Sequence, residues 1–205
     1  MSRALLLAAL TLAALALALD VSWFRPLKPG DYNEGFSACA FGDYVAVVGG
    51  TDGRGYVALL RRDSGSFVKE WRGEERSGYF FSCAVSGDVL YVAGEPGLYA
   101  FDRDLNVLYA VSPEGVRYNA VAAVGGYVYA AGYYDYDKLY IEKRTADLAL
   151  VANATYIKDE WHLAEAYGVA VDPSTGYVWA VGRYDDGDYE RPLILIFDSN
   201  LRLVR

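Results

Sequence analysis

The chain spells one short phrase four times: Tyr44-Val-Ala-Val-Val-Gly49, Val89-Leu-Tyr-Val-Ala-Gly94, Tyr127-Val-Tyr-Ala-Ala-Gly132 and Tyr177-Val-Trp-Ala-Val-Gly182. A self-similar period constrains a fold more than any single motif. It means that copies of one supersecondary unit bury their faces only by packing on each other. The phrases recur roughly 40 to 50 residues apart, the size of a four-stranded unit.

Around each phrase lie four β-type runs of four to eight residues, rich in Val, Tyr, Phe and Leu and separated by Gly, Asp, Ser and Pro. This is the pattern of short antiparallel strands joined by tight turns. The runs group into units over residues 36–72, 80–111, 118–156 and 167–204 of one domain spanning 20–205. After residue 20 no helical period of 3.6 survives over a useful window. The expected fold is all-β: a β-propeller of four four-stranded antiparallel blades, either a closed ring or an open arc.

Specific phrases carry a resemblance. Gly168-Val-Ala-Val-Asp-Pro-Ser-Thr-Gly-Tyr-Val-Trp-Ala-Val-Gly182 resembles the opening of an NHL or YVTN propeller blade. Ser86-Gly-Asp-Val-Leu-Tyr-Val-Ala-Gly94 and Ala100-Phe-Asp-Arg-Asp-Leu-Asn-Val-Leu108 are similar to secreted bacterial and archaeal propeller repeats. The resemblance implies architecture over nearly all of residues 36–204 and little about activity, because such scaffolds host many functions. The Trp-Asp pair of WD40 blades is missing, which argues against that branch.

The first 19 residues combine Arg3, an apolar run from Ala4 to Leu19 and small residues before Asp20, the layout of a secretory signal peptide. The run is shorter than the roughly 20 residues that cross a bilayer, so a secreted or cell-surface protein without a membrane span after signal removal is expected. At the ends, Val21–Phe24 and Leu201–Val204 compete for one outer-strand position. Three arrangements satisfy this pattern: a closed ring with one strand displaced, an open four-blade arc, and two chains joined in a larger ring. An unpaired end strand also offers an edge for a homodimer.

The chain has 27 acids against 19 bases, a net charge of −8, which disfavours nucleic acid and anionic membranes as partners. It lacks Gln altogether and has one His, a depletion that points to a thermophilic source. In a four-stranded meander the second hairpin loops and the inter-blade connections emerge on one face. That face collects most of the acids, interleaved with rings: Tyr133, Tyr134, Asp135 and Asp137, then Trp161, then Tyr184, Asp185, Asp186 and Asp188. Rings supply stacking area and carboxylates accept hydrogen bonds, so these residues form a candidate binding face for a protein or glycan at the cell surface.

Neither a metal nor a cofactor is expected. Residues 184–190 gather three Asp and a Gly on a turn, but without the alternate spacing and distant Glu of an EF-hand loop. His162, the only His, excludes multi-His metal sites and leaves one possible base for a Ser-His-Asp triad. Residues 49–55 carry the glycines of a phosphate loop without its Lys-Ser/Thr ending. In register, Cys39 aligns with Ala84 and Cys83 with Ala38, so the thiols either meet across the first blade interface, where a disulfide is possible, or point apart. Asn153 opens an Asn-Ala-Thr glycosylation sequon on an outer strand. The preferred reading is a secreted, non-catalytic interaction module. The alternatives are a carbohydrate-active enzyme using paired carboxylates of the loop face and a structural cell-envelope fragment.

Overall fold

The computed structural model describes residues 26–157 and 163–204. The signal segment, Val21–Phe24, Trp161 and His162 lie outside the described residues. Four antiparallel meanders follow one another. Blade one comprises β1 (Asn33–Phe41), β2 (Tyr44–Thr51), β3 (Arg54–Arg61) and β4 (Phe67–Arg72). Blade two comprises β5 (Phe80–Ser86), β6 (Val89–Gly94), β7 (Gly97–Phe101) and β8 (Val107–Val111). Blade three comprises β9 (Val116–Val124), β10 (Tyr127–Tyr134), β11 (Lys138–Thr145) and β12 (Leu150–Tyr156). Blade four has β13 (Ala164–Val171), β14 (Val178–Asp185) and β15 (Glu190–Phe197), so the architecture is a four-bladed β-propeller.

The fourth blade departs from the expected four strands. Its outer position is held by a single bridge between Phe197 and Leu203, with Val204 N donating to Ile196 O at 2.7 Å. The C-terminal segment thus takes the contested edge, in shortened form. Among the described residues no helix is long and apolar enough to cross a membrane.

The inner strands β1, β5, β9 and β13 pack on one another in succession, and the second strands of blades one to three are largely buried on both faces, while β14 of blade four exposes Trp179 and Val181. That is why the repeated phrases read as continuous apolar runs instead of alternating ones. Three apolar clusters fill the interfaces. Ala46, Val48, Val57 and Leu59 of blade one meet Leu90, Val92 and Phe101 of blade two. Tyr91, Ala93, Leu98 and Ala100 meet Val128, Ala130 and Tyr140. Tyr129, Ala131 and Ile141 meet Val178, Ala180 and Leu195. Four blades with three such interfaces form an open arc: among the described residues no apolar cluster joins blade four to blade one.

The last hairpin of each blade has a device the sequence hides. Leu105, Leu148 and Leu201 sit at φ 56°, 63° and 60°, and Gly65 takes the same place in blade one at 65°. Left-handed backbone costs an L-residue about 1–2 kcal/mol, and each of these leucines is buried at a blade interface, which returns about 1.5–3 kcal/mol. Asp102 accepts from Asp104 N and Asn106 N, and Asp198 from Asn200 N and Arg202 N, closing the same turn.

The glycine that ends every repeated phrase also has a shared cause. A Cβ on Gly49, Gly94, Gly132 or Gly182 would fall on the carbonyl oxygen of Glu34, Tyr79, Arg117 or Glu165 respectively. The oxygen belongs to the inner strand or, for Tyr79, to the residue just before it, and each inner strand breaks register beside its glycine. Only a residue without a side chain lets the two backbones approach that closely. Gly132→Ala is expected to destabilise the protein by about 2–3 kcal/mol in urea unfolding, through forced backbone displacement. Gly35→Ala, with nothing within 4 Å of its Cβ, is the control and should move stability by less than about 0.5 kcal/mol.

Candidate functional site

Each register break is a β-bulge that leaves one inner-strand residue out of the ladder: Phe36 between Gly35 and Ser37, Phe81 between Phe80 and Ser82, Asn119 between Tyr118 and Ala120, and Tyr167 between Ala166 and Gly168. A bulged residue is freed from alternation and re-aimed. Here the four residues come from four blades at the same height, beside the loop face. Phe36 packs edge-on to Phe81 at 5.1 Å and stacks on Tyr79 at 6.2 Å. Asn119 Nδ2 donates to Ala166 O at 2.9 Å, tying blade three to blade four.

Arg117 continues this strip. Its guanidinium lies 4.7 Å from the Phe81 ring centre and 5.8 Å from that of Tyr133, and Nη1 is 2.8 Å from Glu95 Oε1. Its Nε is buried and, among the described residues, has no hydrogen-bond partner. Tyr133 lies at 6.0 Å from the exposed Tyr136, with the two rings tilted by 36°. On blade four, Tyr167 donates to Glu165, which also accepts Arg183 Nε at 2.7 Å. Burial, then the hydrogen bond to Glu165, pushes the Tyr167 hydroxyl up to about 12, and the charges of Arg183 and Arg117 offset part of this.

The residues expected from sequence are divided by this arrangement. Tyr133 is in the strip. Tyr134 turns instead to the interface of blades two and three, with Tyr140 at 6.4 Å and the Lys138 ammonium over its ring. Asp135 and Asp137 flank Lys138, with Oδ–Nζ separations of 3.9 and 3.3 Å. Tyr184 packs against the core between blades three and four. Asp185 Oδ1 accepts Gly187 N, and Asp186 accepts Asp188 N, Tyr189 N and Arg191 Nε. The Arg191 bond, then the backbone donor of Tyr189, holds the Asp186 carboxyl at about 2.

These acids hold their own hairpin tips, and no group of His, Cys, Asp or Glu among the described residues is placed to bind a metal ion. Trp161 lies outside the described residues. Asn153 is exposed on β12, opposite Glu142 in register. Cys39 and Cys83 are joined by a disulfide across the first blade interface, with Cα atoms 6.2 Å apart.

Sequence reasoning passed over Phe36, Phe81, Arg117, Asn119, Tyr167 and Arg183. The available signal was a slip in alternation: a residue that breaks the period of two, paired with a glycine on the next strand that has no turn to explain it.

No protein-family model matches the chain, and no curated protein matches it in sequence. Solved structures do. The WD40 domain of Toxoplasma gondii coronin is 18% identical, with a TM-score of 0.58 over 77% of this chain and 44% of that one. The Pan2 WD40 domain of Neurospora crassa is 12% identical, with a TM-score of 0.56 over 90% and 69%. The computationally designed Ika4 protein is 8% identical, with a TM-score of 0.56 over 82% and 98%. The chain spans about half the length of several structures it matches. At these identities the likeness concerns architecture alone, and in architecture the chain is a β-propeller.

Proposed function

We propose that this protein is a non-catalytic binding module whose docking surface for a polypeptide partner is the strip Phe36, Phe81, Arg117, Tyr133, Tyr136 and Tyr167. The observation that carries the reading is Arg117, held between two rings with an unpartnered Nε, on a row of bulged residues contributed by successive blades. Arg and aromatic residues supply most of the binding energy at protein interfaces because they combine area, rigidity and donors. The loop acids expected from sequence as ligand contacts are engaged within their own hairpins. Asp186 is held by Arg191 within its own hairpin. Secretion to the cell surface is part of the proposal. The N-terminal layout, the disulfide and the resemblance to secreted NHL and YVTN repeats support it.

Parallel peptide and glycan arrays test the reading. The protein is expected to retain a subset of peptides, with Arg117→Ala and Phe81→Ala each weakening retention by about tenfold or more. Asp186→Asn should leave retention unchanged. Glycan binding alone, or peptide binding indifferent to both strip variants, would overturn the proposal.

A further inference from the structure

Among the described residues, the far face of blade four is the only one of its kind left bare. In blades one to three the side of the sheet that faces the next blade carries Ala46, Tyr91 and Tyr129 at one repeat position, Val48, Ala93 and Ala131 at the second, and Val57, Leu98 and Ile141 at the third. All nine are 0–4% exposed. The equivalents in blade four are Trp179, Val181 and Ile194, exposed by 40%, 43% and 61%. Ala170, on the neighbouring inner strand, is exposed beside Trp179. The face has an apolar centre bounded by the Arg183–Glu165 and Arg183–Glu190 pairs, the layout of an interface with a polar rim.

The opposite end of the arc is different. The corresponding outer face of blade one carries Val47, Tyr56 and Ala58, of which Tyr56 and Ala58 are buried. Leu27 and Pro29 line the same small pocket as Val47 and Tyr56 there. A head-to-tail contact, blade four of one copy on blade one of another, is therefore obstructed. The contact that remains is self-complementary.

We propose that the far face of blade four is a self-association surface, occupied by the same face of a second copy of this chain about a twofold axis. Its chemistry continues that of the three established inter-blade interfaces, and a closed isologous dimer satisfies it without leaving an open end. Each face offers one large ring, Trp179, with Val181, Ile194 and Ala170 around it, so two such faces pressed together form an interface at the small end of the range, below about 1,200 Å². This differs from a dimer through a strand edge, because that edge is bridged by Leu203.

Sedimentation and light scattering of the full chain across roughly 1–100 µM test the proposal. The expected result is a dimer whose dissociation constant rises by about 100-fold or more in Val181→Arg and, independently, in Ile194→Arg. Both positions are solvent-exposed, so both variants should keep the parent's far-UV spectrum and melting profile when compared as monomers. Neither belongs to the proposed docking strip, so peptide binding and dimerisation fail separately. Val47→Arg, on the blade-one face, should leave the dimer intact. A monomer throughout the range, a dimer insensitive to both blade-four substitutions, or one dissolved by Val47→Arg would each overturn the proposal.

Discussion

Glu142→Ala is expected to lower the free energy of unfolding by about 3–5 kcal/mol, because it strands a buried cation. Glu142 is fully buried between blades two and three, where its carboxylate accepts Arg144 Nε at 2.5 Å and Nη2 at 2.9 Å. It also accepts the hydroxyls of Tyr118 at 2.7 Å and Tyr140 at 3.0 Å, while Arg144 Nη1 donates to Leu148 O. Both phenols and two of the three guanidinium nitrogens donate to one carboxylate, so its removal leaves Arg144 charged and two phenols without their acceptor. Urea unfolding measures the loss, and a change below about 1 kcal/mol would show that Arg144 finds water instead. The double variant Glu142→Leu with Arg144→Met should recover much of it, since a buried pair can be replaced by apolar groups of similar volume. Burial, then the charge of Glu142, pushes both phenols up from the ordinary value of 10.0. Their folded pKa values exceed the unfolded ones, so this contribution is complete below about pH 10 and declines as alkali is added.

Reducing the Cys39–Cys83 bond is the second large effect. The bond closes a loop across a sequence separation of 44 residues, and the loss of loop-closure entropy on reduction corresponds to about 4 kcal/mol on the chain-entropy model. The two inner strands it links already pack through the first apolar cluster, so the reduced protein should retain its strands while unfolding at lower urea. Matched unfolding curves with and without reductant, or of Cys83→Ala, check this. Coincident curves would mean that the bond constrains nothing the core does not already hold.

How far the structure could be read from sequence depends on the physical range of each signal. The middle strands were legible because burial on both faces writes an uninterrupted apolar run, and the meander followed from turn residues at regular intervals. The hairpin leucines at positive φ were not, since nothing in Asp102-Arg-Asp-Leu-Asn106 shows that Leu105 is compensated by a neighbouring blade. For the candidate site, the loop face drew attention through its charge, yet charge marked residues such as Asp186 that stabilise their own turns. Arg117 escaped notice because it lies on a strand, and its surroundings are set by Phe81 and Glu95 of the preceding blade. Contacts between blades are long-range, and a single chain read locally shows only one side of them. The open end was posed by the sequence as a contest between two outer strands, but the bare surface that results is the flat of the last sheet.

The bulge beside each repeated glycine has a consequence for how such a protein can change. Because the ladder skips Phe36, Phe81, Asn119 and Tyr167, their identity is read neither by strand pairing nor by the alternation that builds the core. Three of these four, Phe36, Phe81 and Tyr167, belong to the proposed docking strip, whereas Asn119 ties blade three to blade four. Substitution at Phe36, Phe81 and Tyr167 can therefore change the surface beside the loop face while leaving the pairing that builds the blades intact.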